Sequence, residues 1–200
     1  MNFESWPRLL VVDVEGNGAT PPDLVEVATL PLVAGTLDTT SARAWLVRPP
    51  VPVTPFASRV HKLTNADLAS CPPWSDVADH VAATLDGAWI CAHNASVEYR
   101  VLRRHLPDWK PAGVLDTLRL SRATLPDAPK HNLDALISHL NLDLTEASTQ
   151  RHRAPFDAHA AALLLLRLAA HHPTWEALTE AAVPPGLPGV PEPESPPTLW

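Results

Sequence analysis

Apolar positions along this chain change period several times, and each change marks an element. From Arg8 to Asp13 the run Leu9-Leu10-Val11-Val12 is continuous and rich in strand formers, and it stops at Gly16-Asn17-Gly18, the pattern of a buried strand feeding a turn. Leu24 to Val33 and Ala42 to Val47 predict two further strands, with Gly35 between them in a connection short enough for antiparallel pairing. A proline-rich connector runs from Pro49 to Pro55. Helical periodicity then appears from Ser75 to Asp86, followed by a short strand from Ala88 to Ala92.

Beyond that strand, helices and strands alternate. Ala95 to Leu106 reads as a helix that turns Val97, Val101 and Leu102 to the core, and Gly113 to Asp116 reads as a strand. Thr117 to Leu125 and His131 to Leu140 predict two more helices. The segment from about Phe156 to His171 is apolar almost all round, so it is expected to be buried on several sides, with Pro155 in the first turn, where a helix tolerates proline best. Three antiparallel strands followed by two strands separated by helices predict an α/β fold, a mixed sheet flanked by helices.

Two hundred residues at 46% hydrophobic content suffice for one domain with a sizeable core, assigned here to residues 1–182. Residues 183–200 hold 7 of the chain's 23 prolines and are expected to be a disordered or polyproline-like tail. Two cysteines, Cys71 and Cys91, match no zinc spacing and point to reduced thiols. The N-terminus lacks signal-peptide character, and the longest apolar run, Ala160 to Leu166, is far short of a membrane span. The expectation is a cytoplasmic protein without a membrane partner.

A net charge of −7 argues against a protein that coats duplex nucleic acid, which needs a broad basic face. It leaves room for an enzyme that grips one strand end. The cations are 12 Arg against 3 Lys, clustered as Arg100, Arg103 and Arg104, then Arg119 and Arg122, then Arg151 and Arg153. Such clusters serve equally as solvated helix faces or as phosphate-steering groups.

Candidate chemistry lies in acidic residues far apart in sequence. Alternate residues of a strand share a face, so Asp13 and Glu15 project together at the end of the first strand. On a helix, Asp157 shares a face with Ala161, Leu164, Leu165 and Leu168, where a carboxylate costs several kcal/mol unless paired or bound to metal. The bland alternative is a helix-terminal charge satisfied by backbone N–H groups. Glu98 follows His93-Asn94-Ala95-Ser96-Val97, and His152 lies five residues before Asp157 in a polar stretch, Thr145 to Arg153, that reads as a mobile loop. Convergence of Asp13, Glu15, Glu98 and Asp157 would make a carboxylate cage suited to hard cations such as Mg²⁺ or Mn²⁺. A histidine beside it could take a proton from an attacking water near neutral pH. This points to a metal-dependent nuclease.

These motifs, in this order, resemble the DEDDh 3′–5′ exonucleases, a family with a ribonuclease H-like fold typified by the proofreading subunit of bacterial DNA polymerase III. The likeness covers roughly Arg8 to His171. It rests on Val12-Asp13-Val14-Glu15-Gly16-Asn17-Gly18 with Leu24-Val25-Glu26-Val27-Ala28, on Val60-His61-Lys62-Leu63-Thr64, on Ala92-His93-Asn94-Ala95, on Leu115-Asp116-Thr117-Leu118, and on His152 with Asp157. The resemblance implies two Mg²⁺ or Mn²⁺ ions held by Asp13, Glu15, Asp157 and Glu98, with His152 as general base. It also implies contacts to the terminal nucleotide from the backbone at Gly16 and Asn17 and from the side chains of His61 and Asn94. The product would be a nucleoside 5′-monophosphate, released from the 3′ end of single-stranded DNA or RNA with DNA favoured. A DNA polymerase or other replication or repair protein is the implied partner.

Two departures from the family pattern matter. Gly16-Asn17 stands where threonines are usual, and Glu98 stands where the family has aspartate. The extra methylene moves the charge by about 1 Å or more, and a misplacement of that size can cost about 10²-fold in rate. The rival reading is therefore a nucleic-acid-binding or polymerase-accessory module with weakened catalysis.

Overall fold

The computed structural model describes residues 2–147 and 150–189. Its centre is a six-stranded sheet. β1 (Leu9–Gly16) pairs antiparallel with β2 (Leu24–Val33), in a register from Leu9 opposite Leu32 to Glu15 opposite Glu26, with a bulge between Glu15 and Gly16. The chain reverses at Ala34 and Gly35, both at positive φ, into β3 (Thr36–Leu37), and β4 (Arg43–Leu46) pairs further along the same edge of β2. Two successive left-handed residues are the signature of a tight hairpin whose twist matches that of its strands. β5 (Trp89–Ala92) lies parallel to β1, and β6 (Gly113–Asp116) lies parallel to β5. The order is β3-β2-β1-β5-β6 with β4 also on β2, so the three expected antiparallel strands are β1, β2 and β4, the two parallel ones are β5 and β6, and the short β3 is added.

Strand alternation splits the core into two layers. Leu9, Val11, Ala28 and Leu30 face one side, and Leu10, Val12, Val27 and Ile90 face the other. Val81 and Leu85 of α3 (Trp74–Leu85) and Leu102 of α4 (Ser96–His105) fill the second layer. The first layer is covered by α5 (Thr117–Thr124), α6 (Leu133–Leu140), α7 (Ala154–Ala169) and α8 (Trp175–Ala182). Ala154, Ala158, Ala161 and Ala162 of α7 are all buried, and these small side chains let the helix approach the sheet closely over Val11 and Ala28. No helix among the described residues is long and apolar enough to cross a membrane.

Several expectations change. α1 (Pro55–His61), α2 (Asn65–Leu68) and α8 were not expected, although each follows a threonine whose side chain caps it: Thr54, Thr64 and Thr174. In α4 the expected inward residue Val97 is 37% exposed, whereas Glu98 is only 7% exposed and lies with Leu102 on the inner face. The helix is rotated because Ala95 and Leu102 set its buried stripe, and position 98 falls between them at helical spacing.

The expected tail also begins too early. Val183 and Pro184 are buried, Leu187 packs against the second layer, and the Val114 N–H donates to the Pro188 carbonyl at 2.9 Å along the outer edge of β6. Proline lacks a donor but keeps its acceptor, so this segment can follow an edge strand without being a strand. Gly113 and Gly189 make room for the Trp89 ring, which a Cβ at either position would strike at 2.3 Å or 2.7 Å. Residues 190–200, and Ser148 and Thr149 of the expected mobile loop, lie outside the described residues.

Candidate active site

Parallel strands β1 and β5 run in the same sense, and the antiparallel partner β2 returns from the end where β1 finishes. At that end Asp13 and Glu15 project from one face of β1, toward the first turn of α7 that carries Asp157. One carboxylate oxygen from each of Asp13, Glu15 and Asp157 lies within 4.8 Å of the others, the one acidic grouping of this kind among the described residues. All three side chains are half-buried.

Like charges at this spacing resist ionisation, and the burial around them adds to the effect. Burial, then Glu98, Glu15, Asp157 and Glu26, hold Asp13 well above the usual carboxylate range. Burial likewise pushes Glu15 up to about 8, with Asp157 and Glu26 adding and Arg153 opposing. Asp157 is raised to about 6, chiefly by burial, with nearby His152 pulling the other way. Glu98 is pushed by burial to about 8, and its Oε2 is buried without a hydrogen-bond partner. An excess of oxygen donors with too few cations among them is the chemistry that a divalent cation completes. Glu98 stands outside the three-oxygen group, near enough to Asp13 for its charge to oppose ionisation there.

His152 sits between two anchored arginines. Arg151 pairs with Asp134 at 3.3 Å, Arg153 pairs with Glu26, and His152 Nε2 itself is 3.9 Å from Asp134 Oδ2. The histidine is half-exposed with a positive φ of 59°, a conformation its tethered neighbours hold in place. Glu26 receives Arg153 Nε at 2.8 Å and the Ala154 N–H at 3.0 Å, so a buried carboxylate on β2 fastens the start of α7. The Glu26–Arg153 pairing was not read from the sequence. A lone charge within the apolar run Leu24-Val25-Glu26-Val27 was the available signal, since a glutamate buried there needs a partner.

On the other side, β5 is followed by His93 and Asn94. His93 Nδ1 and Nε2 contact Thr117 Oγ1 and the His131 carbonyl, both at 2.9 Å, and burial lowers its pKa, so it is a scaffold. Asn94 has φ 75°, and its N–H donates to Asp116 Oδ1 at 3.0 Å, the same oxygen that caps α5 through Leu118 and Arg119. The Asn94 side chain remains exposed at the rim.

Two expected nucleotide contacts are buried away from any ligand. Asn17 is 0% exposed, and every polar atom it has is in use: Nδ2 donates to Asp23 and Val51, Oδ1 accepts from Ala19 and Asp23, its N–H donates to Asp23 and its carbonyl accepts from Thr54. It builds the loop after Glu15 and has nothing left to offer a ligand. His61 is buried as well. Its Nδ1 accepts the Leu63 N–H, and its Nε2 is buried near the Gly16 backbone without a hydrogen-bond partner. Gly16 stays half-buried at the bulge, next to Glu15.

Residues 10–165 match the RNase_T family, described as "Exonuclease". Exodeoxyribonuclease 10 of Escherichia coli (strain K12) is 31% identical over 159 residues, which span 79% of this chain and 67% of that protein. The DNA polymerase III subunit epsilon-like protein of Rhodobacter capsulatus is 32% identical over 165 residues, covering 80% of this chain and 23% of that one. Among solved structures, exonuclease X in complex with 5′ overhanging duplex DNA superposes with a TM-score of 0.73 at 28% identity, over 86% of this chain and 98% of that one. The E. coli exonuclease I complex with a dT13 oligonucleotide shares the fold, with a TM-score of 0.71 at 14% identity over 84% of this chain and 42% of that one.

Proposed function

The chain belongs to the exonuclease family that it matches over residues 10–165, and for this metal-dependent 3′–5′ exonuclease we propose single-stranded DNA ends as substrate and nucleoside 5′-monophosphates as product. The observation that carries the reading is the convergence of Asp13, Glu15 and Asp157, three half-buried carboxylates whose pKa values are raised chiefly by burial. Asp13, Glu15 and Asp157 would hold two divalent ions, Mg²⁺ or Mn²⁺, with Glu98 supporting from near Asp13. Bound there, the ions would supply Lewis-acid activation of the attacking water and charge neutralisation at the departing 3′ oxygen.

The chain's own residues do the rest. His152 takes the proton of the attacking water, and its two arginine neighbours, tied to Asp134 and Glu26, fix where its imidazole can reach. The Gly16 backbone and the Asn94 side chain contact the terminal nucleotide, from opposite sides of the acidic group. The name of the Rhodobacter relative supports a polymerase or other replication or repair protein as partner. Free thiols at Cys71 and Cys91 suit a reducing cytoplasm.

The test is digestion of 5′-labelled single-stranded DNA and RNA oligonucleotides with Mg²⁺ or Mn²⁺. Stepwise shortening from the 3′ end, abolished by chelator and by Asp13→Ala, supports the reading, and the faster substrate gives the sugar preference. Intact oligonucleotides of both kinds, with metal binding confirmed by a thermal shift, would return the choice to an accessory module.

A further inference from the structure

Helix α1 presents an outer face that the proposed reaction does not use. Ala57 and His61, four residues apart, point inward, whereas Phe56 is 73% exposed, Val60 is 39% exposed and Arg59 is exposed between them. Positions i, i+3 and i+4 share one side of a helix, so an aromatic ring, a guanidinium and a β-branched side chain form a single ridge. Among the described residues Arg59 has no ion-pair or side-chain hydrogen-bond partner, in contrast to Arg104, Arg151 and Arg153, each tied to a carboxylate. A phenylalanine this open in a protein of net charge −7 stabilises nothing within the chain.

The same helix is fastened to the site. The Thr54 N–H donates to the Asn17 carbonyl at 2.9 Å, the Thr54 side chain caps the helix, and Gly18 lies so close that a Cβ there would come within 2.3 Å of Thr54 Oγ1. His61 at the other end lies under the Gly16 backbone. The inner face of α1 thus braces the loop that follows Glu15, and its outer face is open to solvent.

We propose that Phe56, Arg59 and Val60 form a landing ridge for the single strand a few nucleotides before its 3′ end, with an unpaired base stacked on Phe56 and a backbone phosphate on Arg59. Stacking with a flanking cation is the chemistry that holds a strand without regard to sequence. An attractive element outside the acidic group gives the strand a foothold of its own. This inference rests on the exonuclease reading and deepens it.

The experiment compares wild type, Phe56→Ala, Phe56→Trp and Arg59→Ala by fluorescence anisotropy with a labelled single-stranded DNA dodecanucleotide in Ca²⁺. In parallel, each is assayed in Mn²⁺ with the p-nitrophenyl ester of thymidine 5′-monophosphate, which is too short to reach the ridge. Expected are a loss of oligonucleotide affinity of about tenfold for Phe56→Ala, a smaller loss for Arg59→Ala, retention in Phe56→Trp, and unchanged ester hydrolysis in all four. Equal affinity of Phe56→Ala and wild type overturns the ridge and leaves the exonuclease standing. A wild type that neither binds the oligonucleotide nor hydrolyses the ester removes both. Weakened binding together with weakened ester hydrolysis overturns the ridge in favour of a structural role for α1.

Discussion

Glu26 and Arg153, on β2 and at the start of α7, meet as a two-point carboxylate–guanidinium pair in which the glutamate is 1% exposed and also accepts the Ala154 N–H. Glu26 lies directly opposite Glu15 in the strand register, so the pair joins the acidic site to the segment that carries His152 and Asp157. The guanidinium gives one buried carboxylate its counter-charge and opposes the charge crowding at Glu15.

Removing one partner leaves the other buried and uncompensated. Arg153→Ala should cost about 3–5 kcal/mol in urea unfolding, and Glu26→Gln/Arg153→Met should recover most of it. The double variant should nonetheless stay slow at saturating substrate, because His152 loses an anchor. A double variant with wild-type kcat would show that the pair serves stability alone.

Glu98 offers a test of how the site is tuned. Its Oε2 is buried and without a partner, and its charge acts on Asp13. Glu98→Asp should retain or raise kcat, and Glu98→Ala should lower it by about 10²-fold, the scale of a displaced catalytic group. An aspartate variant as slow as the alanine one would mean that the site is built around glutamate.

The raised carboxylates give the metal-free protein a defined pH dependence. Glu15 and Glu98 take up protons near pH 8 when folded and near 4.5 when unfolded, so across that window the folded state binds more protons. Stability without metal should therefore fall as pH rises from about 5 to about 8. Mg²⁺ must displace those protons, and its stabilising effect should grow over the same interval. Differential scanning calorimetry with Mg²⁺ or chelator at the two ends checks this, and Asp13→Ala should erase most of the difference.

Trp89 stands against Gly113 and Gly189 and meets Trp175 edge-on at 5.0 Å between centroids. A methyl at 113 would sit 2.3 Å from the ring, so Gly113→Ala should cost about 1–3 kcal/mol. In a Trp89→Leu background the same change should cost less, and a double-mutant cycle by thermal denaturation measures the coupling.

Much of this was legible because burial leaves periodic marks. β2 and β6 fall on the expected residues, Leu24–Val33 and Gly113–Asp116, since both are apolar runs bounded by turn or capping residues. Asp13, Glu15 and Asp157 were legible from strand alternation and from a carboxylate on an apolar helix stripe. What failed were features decided by hydrogen bonds rather than by periodicity. The proline density before Phe56 hid a helix that begins at Pro55 behind the cap Thr54. Asn17 was expected to offer its backbone to the terminal nucleotide, but its N–H and carbonyl are spent on Asp23 and Thr54 and its four side-chain hydrogen bonds make it the loop's internal brace. Glu98 faces inward because apolar neighbours at 95 and 102 fix the rotation of α4, a three-dimensional fact that the charge of residue 98 conceals.

The Val114–Pro188 hydrogen bond has a consequence outside the single molecule. A sheet with an open margin can recruit the margin of another copy, each new strand handing its own donors to the next. Here the outward N–H of Val114 is spent on a residue that has no N–H to hand on. At Val114 the margin of β6 therefore has no free donor to offer the margin of another copy, and the residue that took it passes none on.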